Sequence, residues 1–264
     1  NKDYIVKTTT GTRIEFMIMN TVKSPLSDKN LRLAFNSAVD YEAIAKVIGG
    51  GAVAVGAPFP PSAPYGYDEL NKQTFDLEKA KTLLAEAGYK DTDNDGYVDK
   101  DGKNLELNIY GNSGASGRGG TTISELLESQ LKNVGIKVNV KIAENIDDIK
   151  KNLEFDLLFQ NWQTVSTGDS QWFLDNAFKT DGSGNYGKYS NKELDDLINK
   201  LTTTFDVKER QKITKEASQI IIDEAYGTYI VSQANVNVSN NKVENMHNFP
   251  IDYYFLTADT KITK

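Results

Sequence analysis

The strongest constraint on the fold of this chain is a change of hydrophobic period between residues 105 and 142. Leu105, Leu107 and Ile109 recur at every second residue, as in a strand, and residues 136–142 repeat that pattern. Between them, residues 121–133 have the three- and four-residue apolar spacing of a half-buried helix. A strand, a helix of about a dozen residues and a second strand predict a parallel pair joined by a right-handed crossover.

Similar patterns continue on both sides of this unit. A strand is predicted at residues 13–20, and Ser27 or Asp28, then Asp40 and Asp76, are the predicted N-caps of three helices. Further strands are expected at residues 155–159, 228–231 and 236–238, and further helices at residues 147–152, 191–205 and 207–224. The chain is therefore predicted to be α/β, with helices on a mixed sheet.

Charge and composition exclude several classes of protein. The 264 residues carry a net charge of −7 and contain no run of Lys or Arg, so a nucleic-acid partner is not expected. The longest apolar stretches are far shorter than the roughly 20 residues of a membrane-spanning helix. Cysteine is absent, which excludes disulfides and thiolate metal sites.

An acidic loop from Asp91 to Asp101 resembles the loops that wrap calcium. Asp91, Asp93 and Asp95 stand at positions one, three and five, and Gly96 at position six. Position twelve, however, is Gly102, where a bidentate glutamate normally binds the ion. Calcium binding and a solvated acidic turn both remain open.

The glycine-rich run at residues 111–120 and the single histidine could each be functional or simply structural. The glycine-rich run at residues 111–120 lies where phosphate loops occur, but it lacks their Lys-Ser/Thr ending and is interpreted as a connector. His247 is the only histidine, and no nucleophile motif accompanies it. It is either a solvent-facing side chain or one ligand of a metal whose other ligands come from a small chelator.

The segment from residue 160 to residue 173 is the best candidate for a ligand site. It is interpreted as a loop that follows the predicted buried strand at residues 155–159, and open α/β sheets bind ligands with loops at the carboxyl ends of their strands. Both tryptophans of the chain, Trp162 and Trp172, lie in it, with Asp169 between them. Indoles stack on apolar or planar groups and a carboxylate binds cations, although a tryptophan here could equally belong to the core.

Several strings resemble a known family, the peptide- and nickel-binding proteins of ABC importers known as solute-binding family 5. Residues 32–40 (RLAFNSAVD) resemble its "VR-x-A-hydrophobic-x-x-A-I-D" helix, and residues 75–89 resemble its "D-x-x-KA-x-x-LL-x-x-AG-aromatic" helix. Residues 126–140, 155–157 and 186–195 match further family stretches. The matches keep the family's order over essentially the whole chain.

The resemblance implies a receptor without catalytic activity and a type II periplasmic-binding-protein-like lobe. Two such lobes close around a ligand like a clamshell. Family members are roughly twice as long, so the chain is expected to lack the first lobe. Residues 1–242 are assigned to the second, ligand-binding lobe, and residues 243–264 to a segment that returns toward the first.

The resemblance also suggests two ligand classes, a nickel chelate or a short peptide. Asp169 lies in the loop where peptide binders receive the ligand's ammonium group. Residues 167–173 and 182–187 look more like nickel-type members, although Gln171 stands where some of them carry a metal-binding histidine. His247 resembles the late histidine of other nickel-type members. The nickel chelate is preferred, and Trp162, Asp169, Gln171 and Trp172 are expected to line the cleft.

The remaining expectations concern partner proteins, cellular location and an alternative function. ABC transporter permease subunits are the expected partners of a monomeric receptor that requires no cofactor. The protein is expected to be extracytoplasmic, in the periplasm or as a lipoprotein on the outer face of the cell membrane. A carboxylate-based hydrolase is the alternative function, with paired acids such as Asp195 and Asp196 as its candidates.

Overall fold

The structure of the chain is a computed structural model, which describes residues 3–23, 25–112, 118–253 and 256–263. The strands are β1 (Tyr4–Met19), β2 (Val53–Ala54), β3 (Asp99–Lys100), β4 (Lys103–Asn104), β5 (Glu106–Asn112), β6 (Lys137–Ala143), β7 (Leu157–Gln163), β8 (Gly227–Asn240), β9 (Val243–Glu244) and β10 (Lys261–Ile262). The helices are α1 (Lys29–Ser37), α2 (Tyr41–Ile48), α3 (Leu77–Glu86), α4 (Arg118–Lys132), α5 (Asp147–Asn152), α6 (Gln171–Ala177), α7 (Lys192–Leu201) and α8 (Val207–Asp223). Short 3-10 turns occur at Pro25–Ser27 and Tyr67–Glu69.

Six strands form one mixed sheet in the order β2-β8-β1-β7-β5-β6. β5 runs parallel to β6 and β7, whereas β1 runs antiparallel to β7 and β8. The unit that dominates the sequence is therefore present, because β5 and β6 are parallel neighbours and α4 connects them. The predicted α/β class with a mixed sheet is confirmed.

β1 supplies side chains to both faces of this sheet. Ile14, Phe16 and Ile18 enter a first core, which is shared with α6, α7 and α8. Met17 and Met19 enter a second core, on the opposite face, shared with α1, α2, α3 and α4. Successive residues of a strand point to opposite faces, so a strand buried on both faces reads as a continuous apolar run.

Side-chain caps start the helices where the sequence indicated. Asp28 accepts a hydrogen bond from Asn30 N, and Asp40 accepts one from Ala43 N. Asp76 does the same for the N–H of Lys79. These bonds satisfy amide groups that have no carbonyl partner in a helix's first turn.

Three local predictions were wrong. The strands expected at residues 228–231 and 236–238 are one strand, β8, because its polar middle pairs with β1 and needs no apolar pattern of its own. The segment after residue 170 was interpreted as a loop and is helix α6. The helix expected at residues 121–133 begins three residues earlier, since α4 starts at Arg118.

The outer halves of β1 and β8 extend from the sheet as a two-stranded ribbon, in which residues 4–10 pair with residues 234–240. Tyr4, Val6 and Val238 are more than half exposed. The apolar side chains of this ribbon are thus left open to solvent in the described part of the chain.

Glu15 is a carboxylic acid in the second-core face of β1, and it is 1% exposed. Its Oε1 accepts hydrogen bonds from Asn161 of β7 (2.9 Å) and Gln233 of β8 (2.7 Å). Oε2 has no hydrogen-bond partner among the described residues. Burial raises the pKa of Glu15 to about 7, and the Asn161 bond only partly opposes this.

This pKa makes the stability of the fold dependent on pH. Between pH 4.5, the ordinary value for a glutamate, and pH 7, the folded chain keeps the Glu15 proton while the unfolded chain loses it. Stability therefore falls as pH rises through that window, and the loss is complete above pH 7. The Glu15→Gln variant should gain up to about 3 kcal/mol of unfolding free energy over wild type between pH 5 and pH 8.

Urea unfolding at pH 5 and pH 8 measures this difference. Glu86→Gln is the matched control, since Glu86 is exposed at the end of α3. An equal response to pH in wild type and Glu15→Gln would contradict the prediction.

Candidate functional site

Trp162 lies near the carboxyl end of β7, on the face of the first core, rather than in the expected loop. Its half-buried indole contacts Phe16 and Phe173 edge-on, with ring centroids 5.9 and 6.2 Å away. Gly184 leaves the space for it: a Cβ on Gly184 would lie 2.5 Å from Trp162 Cη2. Strand register and close packing therefore fix this indole.

Trp172 is on the first turn of α6 and is half exposed. Its ring centroid is 6.4 Å from that of Trp162, with the planes tilted by 49°. The next residue, Phe173, is fully buried and contacts Phe16, Phe59 and Phe178. Phe173 thus holds α6 on the first core, and Trp172 is directed outward beside Trp162.

Tyr186 extends this pair of indoles and was not predicted as a site residue. Its ring centroid is 6.4 Å from that of Trp162, in an edge-on arrangement. The ammonium group of Lys150 lies 4.6 Å above the Tyr186 ring, close enough for a cation–π contact. We refer to Trp172, Trp162 and Tyr186 as the aromatic surface. The sequence signals for Tyr186 were its places in residues 182–187 and 186–195, two stretches that resemble the family.

Asp169 precedes α6, and its carboxylate is bound by Arg210. Arg210 Nε donates to Oδ2 (2.8 Å) and Arg210 Nη2 donates to Oδ1 (2.6 Å), while the N–H of Gln171 also donates to Oδ1 (2.8 Å). Burial alone would raise the pKa of Asp169, but these hydrogen bonds outweigh it and lower that pKa below the ordinary value. The negative charge of Asp169 is therefore paired with the Arg210 guanidinium group at the start of α6 and is not free.

Gln171 is the first residue of α6, and its amide group is partly engaged. Its Oε1 accepts from Arg210 Nη2 at 3.2 Å, and its Nε2 donates to Asp175 at 3.4 Å. The structure thus brings Trp162, Asp169, Gln171 and Trp172 together at one end of β7. It places Gln171 and Trp172 on a helix rather than in a loop. The role of all four residues in lining a ligand cleft stays a prediction.

His247 lies in the C-terminal segment after β9. Its Nε2 is 3.3 Å from Asp259, the ring stacks on Phe249, and about half of the side chain is exposed. Its contacts within the described ranges are not with the aromatic surface. Metal binding by His247 stays a prediction.

The acidic loop brings together a slightly different set of carboxylates than expected. Oxygens of Asp91, Asp93 and Asp99 lie within 4.8 Å of one another. Asp95 instead accepts hydrogen bonds from Tyr97 N and from Asn104. Asp99 is at position nine of the loop, and its oxygens accept from Thr92. Calcium binding stays a prediction, with Asp99 in the place of Asp95.

The remaining sequence candidates are the glycine-rich run and a pair of aspartates on α7. Residues 113–117 of the glycine-rich run lie outside the described residues. Asp195 and Asp196, the pair considered for a hydrolase, bind separately: Asp195 accepts from Thr180 and Asp196 pairs with Lys192. They do not form a shared acid–base pair.

Comparison with known proteins identifies the family. The model of bacterial extracellular solute-binding proteins, family 5 Middle, matches residues 1–185. The chain belongs to family 5. This is a family of non-enzymatic solute-binding proteins, which agrees with the predicted lack of catalysis, and relatives of this chain bind nickel, peptides or heme.

Two relatives within family 5 illustrate its range. The nickel-binding protein NikA of Staphylococcus aureus is 28% identical over 267 residues, which cover all of this chain and 51% of that protein. A NikA crystal structure in complex with Ni(L-His)2 superposes with a TM-score of 0.78, at 26% identity over 100% of this chain and 54% of that one. The oligopeptide-binding protein AppA of Bacillus subtilis, in complex with a nonapeptide, gives a TM-score of 0.80 at 27% identity, over 94% of this chain and 50% of that chain.

The chain spans about half the length of the family 5 relatives it matches. Family 5 proteins are extracellular. Within the described ranges, every helix is too short or too polar to cross a lipid bilayer.

The contact between Gly184 and Trp162 can be tested directly. In the Trp172→Phe background, Trp162 is the only tryptophan, so its emission reports the position of this indole. Adding Gly184→Ala should shift that emission and cost about 1–3 kcal/mol of unfolding free energy, because the new methyl group overlaps the ring. An unchanged spectrum would show that the indole is not held by Gly184.

The calcium prediction needs only titration calorimetry on chelator-treated protein. If the loop binds calcium, addition of Ca²⁺ releases or absorbs heat, and Asp93→Asn should weaken binding because a carboxylate binds Ca²⁺ more tightly than an amide. Asp95→Asn is the control, since Asp95 lies outside the cluster. No heat with the wild-type chain would remove calcium from this loop.

Proposed function

We propose that this chain is the ligand-binding lobe of a family 5 receptor that captures a small solute between two lobes and delivers it to ABC permease subunits. The observation that carries this proposal is the aromatic surface at the carboxyl end of β7. Trp172 is half exposed there, although burying an indole is strongly favourable. Three neighbouring, partly exposed aromatic rings beside a packed core are typical of a binding site.

A second lobe is supported by the ribbon of β1 and β8. Five of its apolar residues are exposed: Tyr4, Ile5, Val6, Val236 and Val238. Together with relatives of twice this length, the open ribbon supports the assignment of residues 1–242 to one lobe and of residues 243–264 to a segment that returns toward the other.

A cavity of about 410 Å³ beside the Asp169 loop favours a small ligand. Val165, Gly168, Pro250 and Leu256 are among the residues that line it. The cavity is mostly apolar, with Thr12, Ser62 and Thr257 as its polar residues. Typical small-molecule sites have this volume and this mixture of walls.

We favour a nickel chelate as the ligand, with a short peptide as the alternative. Flat indole and phenol rings can stack on the imidazole rings of a chelate such as Ni(L-His)2, the complex bound by Staphylococcus aureus NikA. With Gln171 in the place of a histidine, His247 is the only imidazole that the chain itself can offer. Most of the metal's ligands would then come from the chelator.

The peptide alternative depends on Asp169. A peptide ammonium group would have to replace one of the Arg210 hydrogen bonds to its carboxylate, or bind beside them. Removing a charged donor from a partly buried carboxylate costs free energy, which makes this contact less favourable than one to a free carboxylate. The nickel chelate needs no such exchange.

The proposed setting follows from the family. The receptor is placed outside the cytoplasmic membrane, in the periplasm or as a lipoprotein on the outer face of the membrane, and acts as a monomer. Ligand binding would shift the equilibrium between open and closed lobes, and the closed form would be the one presented to the permease.

Titration calorimetry on the full-length protein tests the ligand class. We expect heat with Ni²⁺ and L-histidine together, little with Ni²⁺ alone, and none with a nonapeptide. Trp172→Ala should weaken binding at least about tenfold, as expected for an aromatic residue at the centre of a binding surface. Phe205→Ala is the control, because Phe205 is exposed in the turn between α7 and α8.

Tight binding of the nonapeptide would reverse the ligand preference and keep the receptor. Failure of every probe, or equal affinity of Trp172→Ala and wild type, would contradict the proposed site.

A further inference from the structure

Arg210 joins three separate parts of the chain through one guanidinium group. It lies in the first turn of α8, and its side chain is 17% exposed. Nε and Nη2 donate to Asp169, and Nη2 also donates to Gln171. Nη1 donates to the carbonyl oxygens of Leu201 and Thr204, the latter at 2.7 Å. All five N–H donors of the side chain are used.

The pairing with Asp169 is bidentate, which fixes direction as well as distance. A planar guanidinium and a planar carboxylate that share two hydrogen bonds must lie nearly in one plane. Asp169 in turn accepts from the N–H of Gln171, the first residue of α6. The position of Arg210 is thereby transmitted to the start of the helix that carries Trp172.

A second contact lies one turn further along α8. Ser170 Oγ and Thr214 Oγ1 are 2.6 Å apart, and both residues are buried. Residues 169 and 170 are therefore attached to the same side of α8. These two attachments fix the end of the loop from which α6 begins.

We propose that Arg210 is a positioning residue for ligand binding: through Asp169 it fixes the start of α6, and with it the Trp172 indole beside Trp162. This inference rests on the proposed function, because it assigns a cause to the geometry of the aromatic surface. It also gives Asp169 a structural role in place of a direct ligand contact. Trp172 is half exposed and is the second residue of α6, so the direction of its side chain depends on where that helix starts.

Near-ultraviolet circular dichroism tests the positioning without a ligand. Both tryptophans of the chain are in the aromatic surface, and rigid aromatic side chains dominate this signal. The difference between the spectra of wild type and Trp172→Phe gives the part of the signal that comes from Trp172. In the wild-type background, Arg210→Gln should remove most of the Trp172 part of the signal. In the Trp172→Phe background, Arg210→Gln should leave the remaining signal unchanged.

Two more variants separate positioning from a general loss of packing. Asp169→Asn keeps the Arg210 bonds to Leu201 and Thr204 and should lose the same signal, so it also serves if Arg210→Gln fails to fold. Arg210→Lys keeps the positive charge but cannot donate two parallel hydrogen bonds to Asp169, and it should not restore the signal. Lys208→Gln removes a charge from an exposed position in the same helical turn and should leave the signal unchanged.

Ligand affinity of the full-length protein gives the second readout, with Ni²⁺ and L-histidine, or the nonapeptide, as probe. Arg210→Gln and Asp169→Asn should each weaken binding at least about tenfold, and the double variant should be no weaker than either one. This non-additivity is expected only if both residues act through one contact.

Two results would overturn the inference. Unchanged circular dichroism in both single variants would reduce Arg210 to a link between α7 and α8. Weaker binding in Asp169→Asn alone would make Asp169 a direct ligand contact. If wild type binds neither probe, the proposed function fails, and the circular dichroism still decides whether Arg210 positions Trp172.

Discussion

The two-sided burial of β1 is the constraint on which the other parts of this lobe depend. Successive residues of β1 enter opposite cores. A shift of one residue in its pairing would therefore move Ile14 and Phe16 to the face of the second core and the buried acid Glu15 to the face of the first. The register of β1 therefore fixes β7, and Ile14 lies directly opposite Trp162. The position of the first indole follows from the packing of the whole sheet, whereas that of the second depends on a short helix and one ion pair.

Most of the fold could be predicted because its signals are local. Hydrophobic periods of two and about 3.6 identified β5, α4 and β6, and aspartate caps identified α1, α2 and α3. The predictions failed where a partner strand or a packed neighbour supplies the stabilisation. The polar middle of β8 is a strand because β1 pairs with it, and the seven residues of α6 form a helix because Phe173 is held in the first core.

The candidate site could also be predicted only where its signals are local in the sequence. Two tryptophans close to the end of one strand are visible in the sequence, and the structure brings them within ring contact. Arg210 is not visible, because it lies 41 residues after its partner Asp169 and occurs among many charged residues of an ordinary helix face. Nothing in the pattern separates it from Lys208 or Lys212, since only the fold shows which side chain reaches back to the loop.

The pairing of β1 with β8 has a geometric consequence. Its ladder shifts register between Thr10 and Ile14, and within that interruption a Cβ on Gly11 would lie only 2.6 Å from the carbonyl oxygen of Gln233. A second register shift follows between Glu15 and Phe16, and such irregularities bend and twist a pair of strands locally. The direction in which the ribbon leaves the sheet is therefore set close to Gly11, where any side chain larger than hydrogen would meet the Gln233 carbonyl oxygen.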